Sequence, residues 1–194
     1  MMKNLTLIFF IFSLLSYSQN NFTSARSIEI SENNYEEQLR SSIVKNIELT
    51  NIGPSVMSGR VTDLEVNPNN PTEFYVAYAS GGLWHTKNNG TTFSPIMDNS
   101  MTQNIGDFAI DWKSNSIYVG TGESNSSRSS YPGIGILKSN DNGSTWSNIG
   151  LRDSHHISRV LVNPNNENHI VVAVIGHLYT CLLYTSDAAD EADG

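Results

Sequence analysis

The chain has 194 residues, of which 15% are charged, and a net charge of −8 at neutral pH with only 11 lysines and arginines. That balance leaves no basic patch, which excludes nucleic acid and anionic membrane surfaces as partners held by charge. The single cysteine, Cys181, excludes an internal disulfide, and with it a framework of the kind small exported domains use.

The elements follow in chain order. Lys3 precedes an apolar run over residues 5–15, and Ser16-Tyr17-Ser18 supplies a small-x-small site before Gln19. Residues 1–18 therefore read as a signal peptide. The run is shorter than the roughly 20 apolar residues a membrane-spanning helix needs, so no membrane span is expected in the mature part. Export places the protein outside the cell or in the cell envelope, periplasmic or extracellular. Residues 19–47 read as a linker, polar over 19–31, with a short helix over 34–46: Tyr35, Leu39 and Ile43 share a face, and Glu37 lies three residues beyond an Asn34 cap.

The body of the chain is repetitive. Val66-Asn67-Pro68-Asn69-Asn70 recurs as Val162-Asn163-Pro164-Asn165-Asn166, 96 residues later. Strand-like segments flank both copies, at 61–66 and 73–78 and again at 157–162 and 169–174. A third copy lies between them: residues 105–111, a turn at Trp112-Lys113-Ser114-Asn115, then 116–121. Each of the first two copies continues into a hairpin. Gly82-Leu83-Trp84-His85-Thr86 leads through Lys87-Asn88-Asn89-Gly90 to residues 92–96, and Gly135-Ile136-Leu137-Lys138-Ser139 leads through Asn140-Asp141-Asn142-Gly143 to residues 145–149. Four strands recurring every 40 to 50 residues are the signature of propeller blades. The expected fold class is all-β: a partial β-propeller of about two and a half four-stranded blades, after the signal peptide. The propeller fragment covers 48–180, with blades at 61–96 and 105–149 and a partial blade at 157–180. Residues 48–52 are a closing strand, because Asn51-Ile52-Gly53 repeats as Asn148-Ile149-Gly150 at the end of the second blade.

The hairpin motif Ser139-x-Asp141-x-Gly143-x-Thr145-Trp146 makes a turn. The Asp141 carboxylate accepts from turn amides, Gly143 takes positive φ, and Trp146 covers the hairpin. Asn88, Gly90 and Phe93 hold the corresponding places in the first blade, and an Asn for Asp exchange suits a structural turn rather than a catalytic acid. Ligand contact is expected elsewhere. Arg60, Asp63, Asp107 and His156 lie on or beside the first strands, and Glu123 lies in the long loop 122–132. Innermost strands and their loops line a propeller's central channel. His155 and His156 are adjacent, so in a strand they face opposite ways and cannot chelate together. No metal site and no cofactor is expected, and no catalytic set is visible: a glycosidase needs two carboxyl groups about 5 to 9.5 Å apart.

The order Asn51-Ile-Gly-Pro54, Ser58-Gly-Arg60, Gly120-Thr-Gly-Glu-Ser-Asn125, the Asp141 hairpin, Gly150-Leu151, His156-Ile157 and Gly176-His-Leu178 resembles the sortilin-type (VPS10-like) propellers of bacterial secreted proteins. Those propellers carry BNR repeats with Asp-box turns and are often described as glycosyl hydrolases. The resemblance implies a secreted binding or scaffold module for a protein, peptide or glycan. The alternative is a glycan-acting hydrolase whose catalytic set lies mostly outside these residues. After Thr180 the chain departs from that pattern. Residues 181–194 resemble a translated sequencing adapter and are read as a non-native tail, which would leave the third blade truncated. Without the tail and Lys3, 15 acidic residues face 10 basic ones, a charge of about −5.

Overall fold

The computed structural model describes residues 23–47 and 59–178. The signal peptide, the closing strand at 48–52 and the tail at 181–194 lie outside the described residues, as does the start of the linker. One helix and ten strands are described: α1 (Ala25–Ser41), β1 (Val61–Val66), β2 (Phe74–Tyr78), β3 (Gly82–Thr86), β4 (Ser94–Pro95), β5 (Ile105–Asp111), β6 (Ser116–Thr121), β7 (Ile136–Ser139), β8 (Ser147–Gly150), β9 (Ile157–Asn163) and β10 (Asn166–Val174). A 3₁₀ turn at Arg152–Ser154 precedes β9.

The strands form antiparallel sheets in chain order, β1-β2-β3-β4 and β5-β6-β7-β8, followed by the pair β9-β10. Each four-stranded meander is one blade, and the pair begins a third. The first strands are the innermost, since β5 lies against β1 on one side and β9 on the other. The fold is thus all-β and a partial propeller.

Alternation along the strands sends one face of each sheet into the next. Tyr75, Ala77, Leu83 and Met97 of the first blade close on Phe108, Ile117, Val119 and Leu137 of the second. Ala109, Tyr118 and Ile136 of the second then close on Ile157, Val160 and Val172 of the third. Every side chain in these lists is nearly or fully removed from water, and burial of this kind contributes roughly 1.5–3 kcal/mol for a large apolar residue. The blades therefore hold one another, each having a core only through its neighbour.

The first turn is the same Asx turn in all three blades. The Asn67, Asp111 and Asn163 side chains accept from the amides of Asn69, Lys113 and Asn165 at 2.9, 3.1 and 2.9 Å. Where the first blade needs a loop from Asn67 to Glu73, the third makes a tighter return, and β10 starts at Asn166.

The helix differs from expectation. It starts at Ala25 and ends at Ser41, because Ser24 caps it by accepting from the Ser27 amide at 3.2 Å. Asn34, the expected cap, is inside the helix, and residues 25–31 are helical rather than linker. Two contacts with the 3₁₀ turn hold it: the Ala25 amide donates to Asp153 at 3.0 Å, and Arg152 pairs with Glu32 at 2.8 Å. Tyr35 and Leu39 remain half-exposed, and no residue of α1 is buried. Among the described residues no helix is long and apolar enough to cross a membrane.

Candidate functional site

All three innermost strands carry the same irregularity. The register of β1 on β2 shifts between Val61 and Asp63, that of β5 on β6 between Ile105 and Asp107, and that of β9 on β10 between Ile157 and Arg159. One extra residue in each strand, Thr62, Gly106 or Ser158, makes a bulge that bends the strand and re-aims the side chain after it. In the outer two, the extra residue's hydroxyl donates to a carbonyl of the second strand, Thr62 to Ala77 at 3.4 Å and Ser158 to Ala173 at 3.2 Å. The middle position is glycine for another reason. A Cβ on Gly106 would fall on the carbonyl oxygen of Ile157, so the backbones of β5 and β9 meet there directly.

The bulges set Asp63, Asp107 and Arg159 at equivalent places on consecutive blades. Beside them opens a cavity of about 450 Å³, walled by the bulged segments of β1, β5 and β9, by Arg60 and by the Glu123-Ser124-Asn125 stretch after β6. The expected candidates Arg60, Asp107 and Glu123 come together here. Arg60 grips Glu123 through Nε at 2.8 Å and through a second bond from Nη2 to Oε2. Its Nη1 donates to Ser129 at 3.1 Å, and Ser130 donates to Glu123 at 2.9 Å. Two-pronged pairing of this type fixes orientation as well as charge, so Arg60 ties the long loop of the second blade to the first.

Asp107 is 2% exposed. Its Oδ2 accepts the Val160 amide at 2.6 Å, and Arg159 stands 3.5 Å from Oδ1. Burial, the largest cause, pushes its carboxyl up to about 7; contact with the Asp63 carboxyl adds to this, while the Val160 amide and Arg159 oppose it. Glu65, next but one to Asp63 on β1, is likewise raised by burial and by Asp63.

His156 stands apart from the cavity wall. It is buried, and its Nδ1–H donates to the Glu123 carbonyl at 2.8 Å, so it supports the loop from behind. The alternation expected for His155 and His156 does not apply, because both precede β9, with His155 at φ 53° and its ring tilted at 37° against that of His177, 3.5 Å between centroids. Burial lowers the affinity of both rings for a proton.

The two hairpin turns carry corresponding hydrogen-bond networks. The Thr86 and Ser139 hydroxyls accept from the amides of Gly90 and Gly143 at 3.0 and 2.8 Å, and donate to Asn88 and Asp141 at 3.0 and 2.8 Å. Asn88 and Asp141 then accept from the amides of Thr92 and Thr145. Only the last bond reverses. Asn88 Nδ2 donates to the Thr92 hydroxyl, whereas the Thr145 hydroxyl donates to Asp141. Thr145 and Ser139 hold the Asp141 carboxyl down to about 2. Trp146 reaches beyond its own hairpin: its Nε1 donates to the Ile96 carbonyl at 3.1 Å, in the first blade. Phe93, its counterpart, meets Phe74 edge-on at 5.9 Å.

Sequence reasoning did not single out Arg159, Ser130 or Thr86. Arg159 could have been found by aligning the three first strands, where it falls level with Asp63 and Asp107. Among the described residues no group of three His, Cys, Asp or Glu side chains is placed to hold a metal ion.

No family model matches the sequence, and no curated protein matches it. Among solved structures it is similar to a GH74 enzyme of Niastella koreensis, at 24% identity over 58% of this chain and 17% of that one, with a TM-score of 0.46. It is similar also to an ancestral GH74 enzyme (18% identity, 58% and 16%, TM-score 0.45) and to the GH74 xyloglucanase from Xanthomonas campestris (15% identity, 63% and 19%, TM-score 0.45). The matched part spans less than a fifth of the length of each of these chains.

Proposed function

We propose that the chain is part of a secreted, glycan-acting β-propeller, and that hydrolysis of the glycan stands ahead of simple capture as its activity. The observation that carries this reading is the placing, on one polar cavity, of a buried carboxyl, Asp107, whose burial raises its affinity for a proton, together with a second carboxyl group, Glu123, held in an ion pair with Arg60. A buried carboxyl that holds its proton more tightly than usual suits the role of an acid. Among the described lining residues Val61 supplies the one apolar side chain. Hydroxyl, amide, carboxyl and guanidinium groups suit a ligand made of hydroxyls better than one anchored by apolar side chains. In the proposed step Asp107 gives its proton to the glycosidic oxygen as the bond to the anomeric carbon breaks. A water adds to that carbon and releases a proton to Glu123. The binding or scaffold reading keeps the same cavity and omits this step.

The test is release of reducing ends from a panel of polysaccharides by the full-length protein, alongside calorimetric binding to the same panel. Hydrolysis by the wild type, reduced about 10²–10⁴-fold in Asp107→Asn, is expected. Equal activity in Glu123→Gln would remove Glu123 from the mechanism. Binding without cleavage would leave the capture module, and neither binding nor cleavage would overturn the glycan reading.

A further inference from the structure

The Asp63 carboxyl presents a hydrogen-bond account that does not close without one more hydrogen. Its Oδ1 accepts the neighbouring Leu64 amide at 2.8 Å. Its Oδ2 is buried, and no N–H or O–H of the described residues reaches it. A buried acceptor left in that state costs about 1–3 kcal/mol. The carboxyl of Asp107, on the neighbouring strand β5 at the equivalent place, interacts with that of Asp63. Two ionised carboxylates have no hydrogen to share and repel each other, whereas a carboxylic acid and a carboxylate form a strong bond. The repeated bulge sets these two acidic residues, 44 positions apart, at equivalent places on the neighbouring strands β1 and β5.

We propose that Asp63 and Asp107 hold one proton between them, and that Asp63 is the positioning residue that keeps it on the pair at the cavity wall. The surrounding charges fit a single retained proton. Glu65 on β1 adds negative potential, Arg159 on β9 attracts the remaining negative charge, and across the cavity Arg60 and Glu123 neutralise one another. The Val160 amide occupies Asp107 Oδ2, so Oδ1, the oxygen on the Arg159 side, is left for the shared hydrogen. The inference deepens the hydrolytic reading, since it names the source of the acid's proton, yet it stands on the pair's own geometry.

The test follows the side-chain carboxyl carbons by ¹³C NMR across pH in the full chain without any glycan. In the wild type one carboxyl step near neutrality, felt by both resonances, is expected, as coupled sites titrate as a pair. In Asp63→Asn the Asp107 step should move down by about one unit or more, because a like charge has become a neutral donor. Asp107→Asn supplies an amide hydrogen to Asp63 Oδ2 in a near-isosteric side chain and should abolish the neutral step while the fold's amide spectrum persists. Independent titration of the two residues in the ordinary carboxylate range, or an Asp107 step unmoved by Asp63→Asn, would overturn the shared proton. Because no glycan is present, a neutral step in a protein that cleaves nothing would sink the hydrolase and leave the pair standing. Cleavage without the step would do the reverse.

Discussion

At the residue scale, the hairpin turns show why an acid and its amide exchange freely between blades. A threonine hydroxyl is both donor and acceptor, so it gives a hydrogen to Asp141 in one turn and takes one from Asn88 in the other. The small hydroxyl before each turn has no such latitude, since it receives two turn amides and donates to the Asx side chain. Ser139→Ala should therefore cost about 1–3 kcal/mol, read as a shift in a denaturation midpoint, because Ser139 is 1% exposed and no water replaces its hydroxyl. Asp107 makes the opposite kind of contribution. Its folded pKa is raised to about 7, so the native state binds more protons than the unfolded one between the ordinary aspartate value, about 4, and neutrality. This contribution to stability is full below about pH 4 and is lost as pH rises toward 7. Thermal melts of the wild type should show that decline across the window, and melts of Asp107→Asn should show a flatter profile.

At the element scale, two devices position everything else. The bulges in β1, β5 and β9 set the cavity wall, and Gly106 lets β5 and β9 approach at backbone contact. Gly106→Ala should separate these strands at a cost of several kcal/mol or prevent folding, since a backbone oxygen cannot move aside as a flexible side chain would; soluble yield and midpoint report it. The helix α1 is held differently, by its first amide on Asp153 and by Glu32 on Arg152, with nothing buried. An element so held opens without the rest. Arg152→Ala should raise amide hydrogen exchange across 25–41 while exchange in β6 stays as slow as in the wild type. An Arg152 variant that slowed or left unchanged the exchange of α1 would show that the two contacts do not hold it.

At the scale of the molecule, the blades bury one another, and two faces remain outside that exchange. Leu64 and Val66 of β1 lie on the side of the first blade away from the second, and Leu161 and Val171 lie on the side of the third away from the second; all four are between 41% and 50% exposed. Apolar sheet faces of this kind drive association. The chain expressed by itself should form oligomers or aggregates in sedimentation velocity, and Leu161→Lys with Val171→Thr should shift it toward monomer. A wild-type chain that sedimented as a monomer at micromolar concentration would contradict this.

What could be read from the sequence and what could not divide along range of interaction. The hairpin turns at Asn88 and Asp141 rest on bonds spanning two to four residues, so the residue pattern alone determined them, and the recurrence of the Val66-to-Asn70 run marked the blades although their strands pair over longer range. The helix start was missed although its signal is local, because Ser24 competes with Asn34 as a cap and the apolar spacing favoured the later one. The cavity was decided only by tertiary structure. Arg60 and Glu123 are 63 positions apart, Asp63 and Asp107 44, Asp107 and Val160 53. Each pairing joins residues of different blades, and no spacing along the chain encodes which oxygen of one blade will face which hydrogen of the next.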